Sequence, residues 1–161
     1  MGLDFTLYKK RIDMTSSELF ELPYEELTQN YELAYGRKSW ELVHVLATRD
    51  EVNWGYGILT YEAWNTLMRL MEPIGDKLER IAEAFDHESN APDDYPEFIF
   101  TDEDKKYIAE YEYWYNKTFD EIPYLGYEFS VGYMISFWEA KDKVYEVLDD
   151  PDYEVYMDIS Y

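Results

Sequence analysis

The chain has 161 residues, and its 36 acidic against 14 basic side chains leave a formal net charge of −22 at pH 7. With 47% hydrophobic and 19% aromatic residues it is too apolar for a disordered acidic tail, and its length predicts one domain over residues 1–161 with a core of its own. Such a charge opposes approach to nucleic-acid phosphates and anionic lipid, and the absence of cysteine excludes disulfides, thiolate metal sites and thiol nucleophiles.

In chain order, the first signal is a strand. Leu3, Phe5 and Leu7 alternate with Asp4, Thr6 and Tyr8, the period of a half-buried strand, and Val155, Met157 and Ile159 repeat the pattern at the far end. The two terminal strands are expected to share one sheet. Ser16 to Asn30 reads as one or two short helical turns, with Pro23 acceptable at the start of the second. Beyond Gly36, the positions Trp40, Val43, His44 and Ala47 follow i, i+3, i+4, i+7 spacing, which predicts one face of a helix. Trp54 to Leu59 predicts a turn and a short extended piece. Thr60 is placed to cap a helix through Leu67, Leu70 and Met71, which Pro73 ends or kinks. A second helix, striped by Ile74, Leu78, Ile81, Ala82 and Phe85, stops before the polar Asn90 to Asp94 loop. Phe98-Ile99-Phe100 is a short strand candidate. Thr101 with Asp104 resembles a capping box opening a helix toward Phe119. A linker from Asp120 to Gly126 then leads to a last helix holding Phe137, Lys141, Val144 and Leu148. The sum is a helix-dominated α+β domain whose small sheet includes the N- and C-terminal strands.

The residues that most often carry catalysis are few. Glu41 and His44 form Glu-x-x-His, the spacing of carboxylate-bridged metal sites, but no second copy exists, and the plainer reading is a partly buried helix histidine beside a solvated glutamate. Glu83 and His87 are helix neighbours within an acidic helix end. Neither Asp102-Glu103-Asp104 nor Asp149-Asp150-Pro151-Asp152 has the spacing of a calcium loop. There is no phosphate-cradling glycine loop and no Gly-x-Ser-x-Gly elbow. Asn116-Lys117-Thr118 matches a glycosylation sequon, but the Met1 end lacks the apolar stretch of a signal peptide. No window approaches the ~20 apolar residues of a membrane span. The expected protein is cytoplasmic and non-enzymatic, without cofactor or metal.

The charge is concentrated. Residues 1–80 hold 14 acids and 9 bases, net −5, whereas residues 81–161 hold 22 acids and 5 bases, net −17. Tyrosine follows the same bias, with 12 of 18 from Tyr95 onward. Helix neighbours at i, i+3 or i+4 stand ~5–6 Å apart, close to the spacing of successive phosphates along one strand. An acidic, tyrosine-rich surface in the second half is therefore expected to occupy a basic nucleic-acid groove. Its predicted carboxylates are Glu103, Asp104, Glu110, Glu112, Asp120, Glu121, Asp149, Asp150 and Asp152. Tyr107, Tyr111, Tyr113 and Tyr115 would add rigid contact area.

The opening Met1-Gly2-Leu3-Asp4, followed by Leu7-Tyr8-Lys9-Lys10, resembles small uncharacterised phage and prophage proteins that begin Met-Gly-Leu-Asp-Met-Tyr-Leu. Arg37-Lys38 before an aromatic-bearing helix near His44, an aromatic segment at Phe98-Ile99-Phe100 or Tyr127-Glu128-Phe129, and a Tyr-rich last strand keep that group's order. The chain departs from it at Phe5 and Thr6 and in its extra acidic sequence. The resemblance implies a phage or mobile-element origin and a bacterial host cell. Small acidic phage proteins resemble DNA mimics and anti-CRISPR inhibitors. The expected partner is thus a basic nucleic-acid-binding host protein, a CRISPR effector or a restriction enzyme. A carboxylate and histidine metal protein, or a phage assembly protein, is the alternative.

Overall fold

The structure, a computed structural model, describes residues 3–47, 56–120 and 127–160. Strand β1 (Asp4–Arg11) lies inside a four-stranded antiparallel sheet of order β2-β1-β4-β3, beside β2 (Glu32–Arg37) and β4 (Tyr153–Ser160), with β3 (Tyr56–Ile58) at the edge. The terminal strands pair over their full length, from Asp4 opposite Ser160 to Arg11 opposite Tyr153. Alternation sends Phe5, Leu7, Val155, Met157 and Ile159 into the main core.

The opposite face is covered as well. Between β1 and β2 the chain forms α1 (Ser16–Phe20), a single turn α2 (Tyr24–Glu26) and a π-helical turn (Leu27–Tyr31). Leu19 and Leu27 from this cover close over Tyr8 and Tyr156 in a second small core. The Phe20 ring meets both tyrosines edge-on. The buried Lys10 ties the cover down, donating to the Met14 carbonyl and pairing with Glu154 of β4 at 2.7 Å. The terminal strands are thus buried on both faces, where alternation alone predicts one.

Six helices follow. α3 (Trp40–Leu46), α4 (Tyr61–Met71) and α5 (Leu78–Asn90) lead to the long α6 (Asp102–Phe119), and α7 (Tyr127–Glu139) and α8 (Lys141–Asp149) complete the set. Thr60 and Thr101 cap α4 and α6 as their positions predict, each accepting a backbone N–H three residues on. α7 lies on β2, α8 lies on β4, and α5 packs between α7 and α6. The architecture is α+β.

Two local expectations change, and one strand carried no signal in the sequence. β2 is absent from the periodicity because its core-facing residues are Ala34 and Gly36. A Cβ on Gly36 would lie 3.3 Å from the Phe137 ring of α7, so close helix packing selects small residues there and erases the apolar signal. Phe98-Ile99-Phe100 is not a strand, because Pro96–Phe98 is a 3-10 turn, and Tyr127-Glu128-Phe129 opens a helix. The single last helix is two, broken at Ala140, which lets α7 follow β2 while α8 turns onto β4.

Candidate partner-binding surface

α6 carries most of the predicted surface, and its spacing divides it. Asp104, Ile108, Tyr111, Tyr115 and Phe119 fall on one stripe that faces α5 and the core, and all five are buried. Tyr111 packs edge-to-face on Phe85 of α5 with centroids 5.8 Å apart, and burial pushes its phenol well above the usual range. Tyr111, Tyr115 and Asp104 are therefore interior groups and contribute nothing to an exposed surface. Of the ten described tyrosines from Tyr95 onward, only Tyr95 and Tyr113 are exposed. The helix stripe was readable in the spacing, but aromatic content alone concealed it.

Asp104 closes the N-terminus of α6. Its Oδ2 accepts from the Thr101 N–H at 2.9 Å while Thr101 Oγ1 accepts from the Asp104 N–H. Arg80 Nη1 stands 2.9 Å from Oδ1, and His87 Nδ1 lies 3.1 Å from Oδ2. Burial alone would raise this carboxyl, but the Thr101 N–H, Arg80 and His87 together hold it well below the usual carboxylate range. The network is structural.

The outward groups of α6 are partly neutralised. Glu103 lies 3.5 Å from Arg80 and Glu110 pairs with Lys77, while the half-buried Tyr107 ring sits beneath the Arg80 guanidinium at 4.8 Å. Glu112 is half-buried and Asp120 exposed. Glu121 lies outside the described residues.

The second predicted group sits elsewhere, at the end of α8. Asp149 is the last residue of that helix, Asp150 its C-cap, and no basic residue occupies the last turn. Carboxylates at a helix C-terminus face the negative end of its dipole, an unfavourable placement. Asp150 Oδ1 accepts the Asp152 N–H at 3.0 Å and shapes the turn into β4, while Asp149 and Asp152 remain exposed. α6 lies against α5, whereas α8 lies against β4.

A third group was missed by the sequence reading. In the turn between α5 and α6, Phe98 is 79% exposed and Tyr95 58%, their rings meeting edge-on at 5.8 Å, with Ile99 beside them. Asp93, Asp94 and Glu97 are exposed in the same turn, and none is in an ion pair among the described residues. The available signal was the charge pattern: between Arg80 and Lys105 there are nine carboxylates and no Lys or Arg.

The Glu-x-x-His pair inverts its expected environments. Glu41 is fully buried and His44 exposed, because the inward face of α3 is Glu41, Leu42, Val43 and Leu46. Glu41 Oε2 accepts from the Tyr115 hydroxyl at 3.4 Å, and Oε1 has no hydrogen-bond partner among the described residues. Burial raises this carboxyl, against the lowering effect of hydrogen bonds that include Ser130 and Tyr115. Among the described residues no group of three or more His, Asp or Glu side chains is arranged to hold a metal ion.

No protein-family model, no curated protein and no solved structure matches the chain. Among the described residues, no helix is long and apolar enough to cross a membrane.

Proposed function

We propose that this protein is a stoichiometric inhibitor that docks its acidic surface into the basic groove of a host nucleic-acid-binding protein, and that it performs no chemistry of its own. The partner class is a defence protein of a bacterial host, a CRISPR effector or a restriction enzyme, and the inhibitor is of phage type. The observation that carries this reading is the set of exposed carboxylates that have no pairing cation among the described residues: Asp93, Asp94 and Glu97 in one turn, Asp149 and Asp152 in another. Asp149 stands where the helix dipole opposes it, so the fold gains no dipole stabilisation by keeping it there. Duplex DNA presents a charge every ~1.7 Å of axis, and a groove built for it attracts a folded polyanion by the same long-range field. Complementary charge speeds the encounter, and exposed rings then hold the complex.

The test is capture from bacterial lysate on the immobilised protein, with duplex DNA as competitor and salt as a variable. A basic nucleic-acid-binding protein should be recovered, displaced by DNA, and lost steeply as salt rises. Recovery of neutral metabolic proteins alone, indifferent to DNA, overturns the reading.

A further inference from the structure

We infer that the turn formed by residues 92–99 is an arginine-gripping anchor, in which the Tyr95 and Phe98 rings stack a partner's guanidinium groups and Asp93, Asp94 and Glu97 receive their N–H donors. This rests on the proposed docking to a basic protein and names the partner side chain that one part of the surface selects. Three observations converge on it.

The rings are unusually bare. A phenylalanine 79% exposed beside a tyrosine 58% exposed leaves apolar area in water for which the fold provides no cover. Other exposed rings, such as Tyr24 and Tyr113, carry a hydroxyl that water satisfies, whereas Phe98 has none.

The turn is held in shape by its own backbone. The Tyr95 N–H donates to the Pro92 carbonyl at 3.1 Å, the Phe98 N–H to the Tyr95 carbonyl at 3.3 Å, and the Phe100 N–H to the Pro96 carbonyl at 2.7 Å. Pro92 and Pro96 restrict φ within it, and the turn runs directly into the Thr101 capping box. A pre-shaped turn loses little conformational entropy on binding.

The chemistry around the rings discriminates between cations. A guanidinium is planar and weakly hydrated, stacks on an aromatic face and offers paired donors to a carboxylate, whereas an ammonium is a compact, strongly hydrated point charge. Carboxylates alone would take either cation. Carboxylates in the same turn as bare rings favour arginine, and Arg80, His87 and Lys105 are engaged with Glu83, Asp102, Glu103 and Asp104, leaving Asp93, Asp94 and Glu97 without an ion pair among the described residues.

The experiment titrates the full-length, isotope-labelled protein with nona-arginine and with nona-lysine at the same salt concentration, following amide resonances by NMR. Nona-arginine should bind about tenfold more tightly, with its largest shifts on residues 93–99, and nona-lysine should give weaker shifts spread over the acidic surface. The double variant Tyr95→Ala with Phe98→Ala should lose the arginine preference while retaining the salt-dependent charge attraction. Its melting temperature should be unchanged, because both rings are exposed. Phe98→Trp should keep the preference. Equal affinity for the two peptides, or a preference that survives the double variant, overturns the anchor. If the peptides bind alike while DNA still displaces the captured host protein, the anchor fails and the inhibitor reading stands. If the arginine preference holds while captured proteins ignore DNA, the anchor stands and the inhibitor reading fails.

Discussion

Two buried carboxylates respond to pH in opposite senses. Glu41 is raised by burial, so the unfolded chain releases this proton first. Its contribution is most favourable below the ordinary carboxylate range of ~4.3 and falls as pH climbs toward its raised native value. Asp104 is lowered by the Thr101 N–H, Arg80 and His87 against the cost of burial. Its contribution is complete above the ordinary range of ~3.9 and is lost as pH falls toward its depressed native value. Chemical denaturation across acid to neutral pH should show both. The destabilisation of Asp104→Asn should grow from acid to neutral pH and reach about 2–3 kcal/mol, because Arg80 keeps part of its solvation. The stability of Glu41→Gln relative to wild type should instead improve over the same rise. Differences that do not vary with pH in either variant would remove these assignments.

At the scale of elements, two glycines separate tight packing from open surface. Gly75 opens the 3-10 turn before α5, and a Cβ there would collide with the Trp138 indole of α7. Gly132 lies inside α7, and a Cβ there would meet no atom within 4 Å. Gly75→Ala should therefore cost about 1–3 kcal/mol by forcing Trp138 aside, whereas Gly132→Ala should add about 0.5–1 kcal/mol through helix propensity alone. Thermal unfolding of the two variants checks the pair, and shifts of the same sign would contradict the packing of α7 on α5. The same contrast explains β2. Gly36 has no side chain where Phe137 crowds the strand, so the residue that makes the contact possible also removes part of the strand's hydrophobic signature.

For the whole molecule, net charge sets competing responses to salt. A charge of −22 on one small domain repels itself, and screening relieves that repulsion within a Debye length of ~8–10 Å at ordinary ionic strengths. The melting temperature of the free protein should rise as salt is added, while binding to its basic partner weakens. Scanning unfolding against salt measures the first effect without any partner. A melting temperature that falls with salt would mean that internal pairs such as Lys10 with Glu154 and Lys77 with Glu110 outweigh the global repulsion.

The sequence by itself determined the α+β class, the pairing of the terminal strands and the caps at Thr60 and Thr101, because these follow from local period and from hydrogen bonds reaching three residues along the chain. It also located the charge in the second half. Only the tertiary structure decided which members of that charged, aromatic half face water. Tyr111, Tyr115 and Asp104 share the helical stripe of Ile108 and Phe119 and are covered by α5 and its neighbours, Glu41 turns inward while His44 turns out, and Tyr95 and Phe98 stay bare in a turn. A side chain's type states what its burial costs, but whether it is buried depends on what packs above it, and that partner comes from distant sequence.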